Sequence, residues 1–377
     1  MSGSRDERPA ATALYRLPHA TRYCRLTQHG TPVELPSCAE LGAEQGFVVA
    51  PFAPSVEQPI VLIRPDAVEW GDVPDGDAAE GGIVAHVADA EGERRRYGID
   101  FRNFHAQLTA GTFAKVVLAR CSHMEADTDV EAQAERLFFR ACRRYPRMCV
   151  VLVSAPRCGT WLMATPEILL EGGRREWQTM ALAGTMRLAP RHLDFDTPRA
   201  HTSAADIRWS AKNRFEQRYV ADYIEECVEQ LATDIAVSEP YTTRAGNLVH
   251  LRTDFRFTLP DGCTIGSVVN ALHPTPAVCG MPKDATFGFI MHEEQSPRSY
   301  YSGFVGPMGI GGESHLFVSL RCMRIEGRKL FLYAGGGLLA DSREDDEWLE
   351  TEAKMETMRS LLEEGKAPSG SPVGGEG

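Results

Sequence analysis

Lys115 lies inside FAKVVLAR, a run of Val, Leu and Ala that reads as a buried strand. Desolvation disfavours an ammonium, so a lysine buried in such a run loses its proton near neutral pH and can serve as a base. Glu167 follows Thr165-Pro166 and heads Ile168-Leu169-Leu170. A carboxyl at the mouth of an apolar strand has its pKa raised, which is the condition for a general acid. Glu216, Glu347 and Glu350 each head an apolar helical stripe, and carboxylate oxygens of this kind suit Mg²⁺. Arg321, among the alternating apolar residues of HLFVSLRCM, needs an anion, and a substrate carboxylate would fit. Each has a plainer reading: a snorkelling lysine, a turn-edge glutamate, surface glutamates and a structural salt bridge.

The elements that must hold these groups follow from periodicity. Ser342–Glu363 reads as a helix on which Glu347, Glu350, Lys354, Met358 and Leu361 share one stripe, so its buried face begins with charges. Such charges need a cation and an anion waiting for them, because ionised groups buried without partners cost several kcal/mol each. Ser210–Leu231 is a second long helix, with Glu216 at the head of the stripe Val220, Ile224, Cys227, Leu231. Further helices are expected at Phe101–Leu108, Val130–Tyr145, Ile265–Leu272 and Lys283–Glu293. Strands are expected in FAKVVLARCSHME, MCVVLVSA and TWLMATP, at Glu167–Leu170, Trp177–Leu182, Val249–Leu259, Gly303–Val305, His315–Ile325 and Lys329–Ala334. Gly335, Gly336 and Gly337 follow the last of these directly, where a backbone could approach a ligand closely; a plain turn is the alternative. Asp66–Gly92, acidic and rich in Gly, reads as a surface loop. Strands that follow one another through Gly and Pro turns give an antiparallel pattern, and the whole reads as α+β.

At 377 residues, 43% of them hydrophobic, the chain supplies a sizeable core. Its net charge of −12 argues against nucleic acid, so an anionic substrate must be held by local positive charge. Ten cysteines without CxxC spacing indicate neither a zinc site nor a disulfide framework, and they suit a reduced, cytoplasmic setting. No apolar run is long enough for a membrane span. Residues 1–12 and 366–377 are expected to be disordered, leaving a single domain at 13–365 with no internal repeat.

Taken in order, FAKVVLAR, TPEILL, ALAGT, KNRFEQRYV, VHL, LHPTPAVCGMP, YYSGFVG, the LR of VSLRC, YAGGGL and EWLETEAK resemble the chorismate-utilising enzymes, most closely the isochorismate synthases. These pieces run from Phe113 to Lys354, with a variable N-terminal part to about residue 100. The resemblance implies a large antiparallel β-sandwich with helices packed outside, and a soluble monomer without an amidotransferase subunit. It implies that Lys115 is the base acting on water and Glu167 the acid that protonates a departing hydroxyl. Glu216 and Glu350 match magnesium ligands, with Glu347 beside them, while Thr185, His250, Arg321, Gly335 and Lys354 match residues that orient the substrate; Ala277 and Tyr301 would line the pocket.

What separates the branches of this family is also readable. Anthranilate synthases carry glutamine where Lys115 stands, and aminodeoxychorismate synthases carry a nucleophilic lysine where this chain has Ala183. The resemblance therefore implies isochorismate formation from chorismate with Mg²⁺, menaquinone-type, with salicylate synthase or a siderophore-pathway enzyme as the alternative. Asn213, Gln217 and Thr165 stand where the family often has Asp, His and Ser. Met186–Trp209, rich in Arg, Pro and Asp, is expected to form a mobile cover over the site.

Overall fold

The computed structural model describes residues 9–42, 44–76, 81–187, 207–245 and 248–362. Within them, two ten-stranded sheets pack face to face, and every strand pairing is antiparallel. Between the sheets lies an apolar layer in which Tyr15, Trp161 and Tyr333 of one sheet meet Phe47, Val305 and Phe317 of the other. Helices Ala134–Arg144 and Glu344–Leu362 cover the outer face of the first sheet, and Ala211–Glu229 and Ile265–Leu272 that of the second. The α+β sandwich with helices outside is thus the observed architecture. No described helix is long and apolar enough to cross a membrane.

Several expected boundaries move, for identifiable reasons. Ala11–Arg16 is a strand between Arg22–Gln28 and Cys149–Ala155, so order begins inside the segment expected to be disordered; residues 1–8, and the tail from 363 on, lie outside the described residues. Asp66–Gly92 is not one loop. Ala67–Asp72 is an edge strand on Arg22–Gln28, and Ala85–Val87 pairs with the Lys115 strand. An edge strand wetted on both faces has no apolar alternation to betray it. The helix expected at Phe101–Leu108 runs Ala90–Thr109, started by Asp89, whose carboxylate accepts from Gly92 N at 2.9 Å.

Two corrections matter for the site. The single strand expected at His315–Ile325 is two strands, Ser314–Val318 in the second sheet and Cys322–Glu326 in the first, so Arg321 stands on the crossing and not in a strand. Its φ of 45° makes the turn. Gly335–Gly337 do not follow the last strand but belong to it, since Lys329–Leu338 pairs with Lys115–Ala126 along its whole length. Most of the segment expected to form a mobile cover, residues 188–206, lies outside the described residues; Met186 and Arg187 complete the strand Glu176–Arg187.

Candidate active site

A small cavity of about 50 Å³ opens where the chain passes between the sheets. Glu167 enters it from the crossing between strands Gly159–Thr165 and Ile168–Gly173, and Arg321 from the crossing described above. His250 and Thr185 come from two paired strands of the second sheet. Ala277, Tyr301, Gly335 and Lys354 close the remaining walls. The structure therefore brings together Glu167, Glu216 and all seven residues expected to bind substrate. Lys115, Glu347 and Glu350 stand just behind this lining.

Glu167 is held at the crossing by its backbone oxygen, which accepts from Val318 N at 2.9 Å. Thr165 donates to the Val318 oxygen at 2.6 Å, so threonine here serves the turn that presents the acid. Burial pushes the Glu167 carboxyl up to about 8, against the pull of Lys115, Lys354 and Arg321. It therefore carries its proton at neutral pH and has one to give.

Lys115 is completely buried, which removes the snorkelling reading. Its Nζ forms an ion pair with Oε1 of Glu216 at 3.3 Å and has no hydrogen-bond partner among the described residues. Gly337 makes this approach possible. A Cβ there would collide with Glu216 Oε1 and come within 2.9 Å of Lys115 Cε. A Cβ at Gly336 would lie 3.1 Å from Glu347 Oε2 and 3.8 Å from Glu350 Oε1. Gly337 thus leaves room for Glu216 and Lys115, and Gly336, its neighbour on the strand, leaves room for Glu347 and Glu350.

Each of those carboxylates has a lysine. Lys354 Nζ is 2.7 Å from Glu350 Oε1 and donates to the Gly335 oxygen at 2.7 Å. Burial alone would raise Glu350, but the Lys354 ammonium outweighs it and holds the carboxyl below its ordinary range. Glu347 is pushed upward by burial and by the charge of Glu350, and is held by Lys212 and by Ser342 Oγ at 2.7 Å. Among the described residues no three His, Cys, Asp or Glu side chains stand close enough to grip a metal as they are. The donor set nevertheless fits a hard divalent cation: it is all carboxylate, and the place where a Cβ is missing at Gly336 is open to two of its oxygens.

Arg321 is buried, which lowers its pKa to about 10 and leaves it charged. Its Nη2 lies 3.1 Å from His250 Nε2. Burial, together with Arg321 and Lys354, drives the His250 pKa well below its usual value, so the ring is neutral. Nε2 then accepts from Arg321, and Nδ1–H donates toward Thr185 Oγ1, 3.3 Å away. Tyr301 stacks on Tyr333 with ring centroids 5.6 Å apart, and its hydroxyl faces Gly335, the side away from solvent.

Sequence reasoning missed Lys212, Ser342 and Leu320. Lys212 carried a signal, since it precedes Glu216 by one helical turn and shares its face. Gln217 and Asn213, the departures from the usual pattern, make ordinary contacts: Gln217 donates to Thr253 Oγ1 at 2.9 Å, and Asn213 N donates to the cap residue Ser210 at 3.1 Å.

The comparisons with known proteins agree with this geometry. The isochorismate synthase DhbC of Bacillus subtilis is 29% identical over 309 residues, 79% of this chain and 76% of that protein. A putative isochorismate synthase, MenF, of Mycobacterium tuberculosis is 32% identical over 320 residues, 81% of this chain and 84% of its own. The crystal structure of a putative 2,3-dihydroxybenzoate-specific isochorismate synthase from Bacillus anthracis superposes with a TM-score of 0.79 at 22% identity, covering 95% of this chain and 97% of that one, a likeness of fold. Residues 82–363 match the family described as chorismate binding enzyme, and the chain belongs to that family.

Proposed function

We propose that this protein is an isomerase, an Mg²⁺-dependent isochorismate synthase that converts chorismate to isochorismate. The observation that carries the reading is one cavity that holds Glu167, its proton retained by burial, together with Arg321, Lys354 and Glu216, the last with Lys115 directly behind it. The family match and the names of its relatives support the substrate.

Chorismate is a dianion, and Arg321 and Lys354 supply the local positive charge that the chain as a whole lacks. Lys115 takes a proton from water as the water oxygen bonds to C2. The C1–C2 π pair shifts to C1–C6 and the C5–C6 pair to C4–C5. The C4–O bond breaks, and Glu167 gives its proton to the departing hydroxyl, which leaves as water. Arg321, fixed by His250, orients a carboxylate through the whole sequence. Mg²⁺, held by Glu216, Glu347 and Glu350, would bind the ring carboxylate and draw electron density from the ring. Incubating the protein with chorismate and Mg²⁺ and separating the products tests the reading: isochorismate without pyruvate is expected, whereas salicylate with pyruvate would make it a salicylate synthase.

The reading extends to menaquinone synthesis, on the general likeness of the motifs to menaquinone-type members. Loss of menaquinone on deletion of the gene is the expected outcome; loss of a siderophore with menaquinone intact would place it in a siderophore pathway.

A further inference from the structure

Lys212 is unlike the other two lysines of the carboxylate cluster. Lys115 is sealed inside its strand, and Lys354 is tied to a backbone oxygen as well as to Glu350. The Lys212 ammonium has Glu347 as its hydrogen-bond acceptor, and its side chain is the most exposed of the three, at 26%. It stands second in the helix Ala211–Glu229, in the first turn, where the helix dipole disfavours a cation. Glu347, not the helix, therefore holds it in place. The carboxylate it holds is buried and faces the gap over Gly336, beside Glu350.

We propose that Lys212 is a built-in competitor of the divalent cation, occupying Glu347 until a cation displaces it and so setting the concentration at which the site loads. The inference rests on the reading that Glu216, Glu347 and Glu350 take the cation. Glu347 and Glu350 already have the ammonium groups of Lys212 and Lys354 against them, so a dication added alone brings further positive charge beside two cations. A dianionic substrate offsets that charge. Cation and substrate consequently load together, each raising the affinity for the other by the same factor.

The test is a titration of the full-length protein with Mn²⁺ alone, without chorismate, reading free Mn²⁺ by electron paramagnetic resonance. Lys212→Met is expected to bind Mn²⁺ at least about fivefold more tightly than the wild type, the lower end of usual coupling between sites. Lys212→Gln, which keeps a polar end, is expected to do the same and serves if the methionine variant does not fold. In a Glu347→Gln background the gain from Lys212→Met shrinks, because the carboxylate competed for is gone. Wild-type binding with unchanged or weaker affinity in the folded Lys212 variants overturns the proposal alone, as does an equal gain in both backgrounds. Absence of Mn²⁺ binding by every variant up to millimolar concentration overturns the cation reading itself, and the proposal with it.

Discussion

Glu167 and Arg321 occupy two places where the chain leaves one sheet for the other, and the two crossings are sewn together. Val318 N donates to the Glu167 oxygen at 2.9 Å, and Ala164 N donates to the Arg321 oxygen at 3.1 Å. A buried carboxyl and a buried guanidinium are thereby fixed against each other by backbone hydrogen bonds, independent of the rotamers of either side chain. Lys115 faces the same region from the first position of the strand Lys115–Ala126, against Gly337.

Removing either end of the proton path should show in turnover. Lys115→Ala and Glu167→Gln are each expected to lower kcat by about 10²-fold or more, the scale of general acid–base contributions. Steady-state rates of chorismate consumption check this, and a near-normal rate in either variant removes that residue from the mechanism.

The raised Glu167 pKa gives two pH signatures. Since the acid works protonated, kcat/KM should fall as pH rises through about 8, and Glu167→Gln should lack that limb. For stability, the folded state holds this proton up to about 8 while the unfolded carboxyl releases it near its ordinary value of 4.5. The folded state then binds more protons across that window, so wild-type stability declines as pH rises through it. Thermal melts at pH 5 and pH 9 should show Glu167→Gln gaining on the wild type at the higher pH; a constant difference would contradict the assignment.

The close approach at Gly337 predicts a variant that folds but does not work. Gly337→Ala places a methyl group against Glu216 Oε1 and 2.9 Å from Lys115 Cε, so those side chains must move. Activity is expected to fall by about 10²-fold, since small misplacements of catalytic groups have that effect. Circular dichroism and kinetics on the same sample check it. Retained activity would mean that the base is not placed by this contact.

Much of this site could be seen in the chain before folding. The stripe Glu347, Glu350, Lys354, Met358, Leu361 was legible because helical period puts those residues on one face, and Glu347, Met358 and Leu361 are indeed buried. Lys115 was legible because its neighbours are β-branched and apolar. The place of Arg321 was not, since a crossing between sheets inside an unbroken apolar run carries no Gly or Pro to mark it, and the turn falls on the arginine itself. The edge strand Ala67–Asp72 was equally invisible, being exposed almost throughout. Lys212 could be placed beside Glu216 by helical spacing, but its partner Glu347 could not be read, being 135 residues away and brought to it only by the fold.

Support from outside the cavity is also testable. Glu294 and Arg298 form a buried pair, with Arg298 donating to the oxygens of Val117 and Val278, both on the cavity wall, and Glu294 accepting from Ala119 N at 2.7 Å. Glu294→Ala leaves a buried guanidinium without its anion, which is expected to cost about 3–5 kcal/mol. Denaturant unfolding measures this directly, and a loss under about 1 kcal/mol would show that the pair is dispensable, like an exposed one.

The central claim is that water adds to chorismate while the C4 hydroxyl departs, with Lys115 and Glu167 moving the protons. Mass spectrometry of the product formed in ¹⁸O-labelled water with Mg²⁺ tests it most directly. The account predicts isochorismate carrying one ¹⁸O in its new hydroxyl and no pyruvate. Unlabelled isochorismate, salicylate released with pyruvate, or chorismate left unconsumed would contradict it.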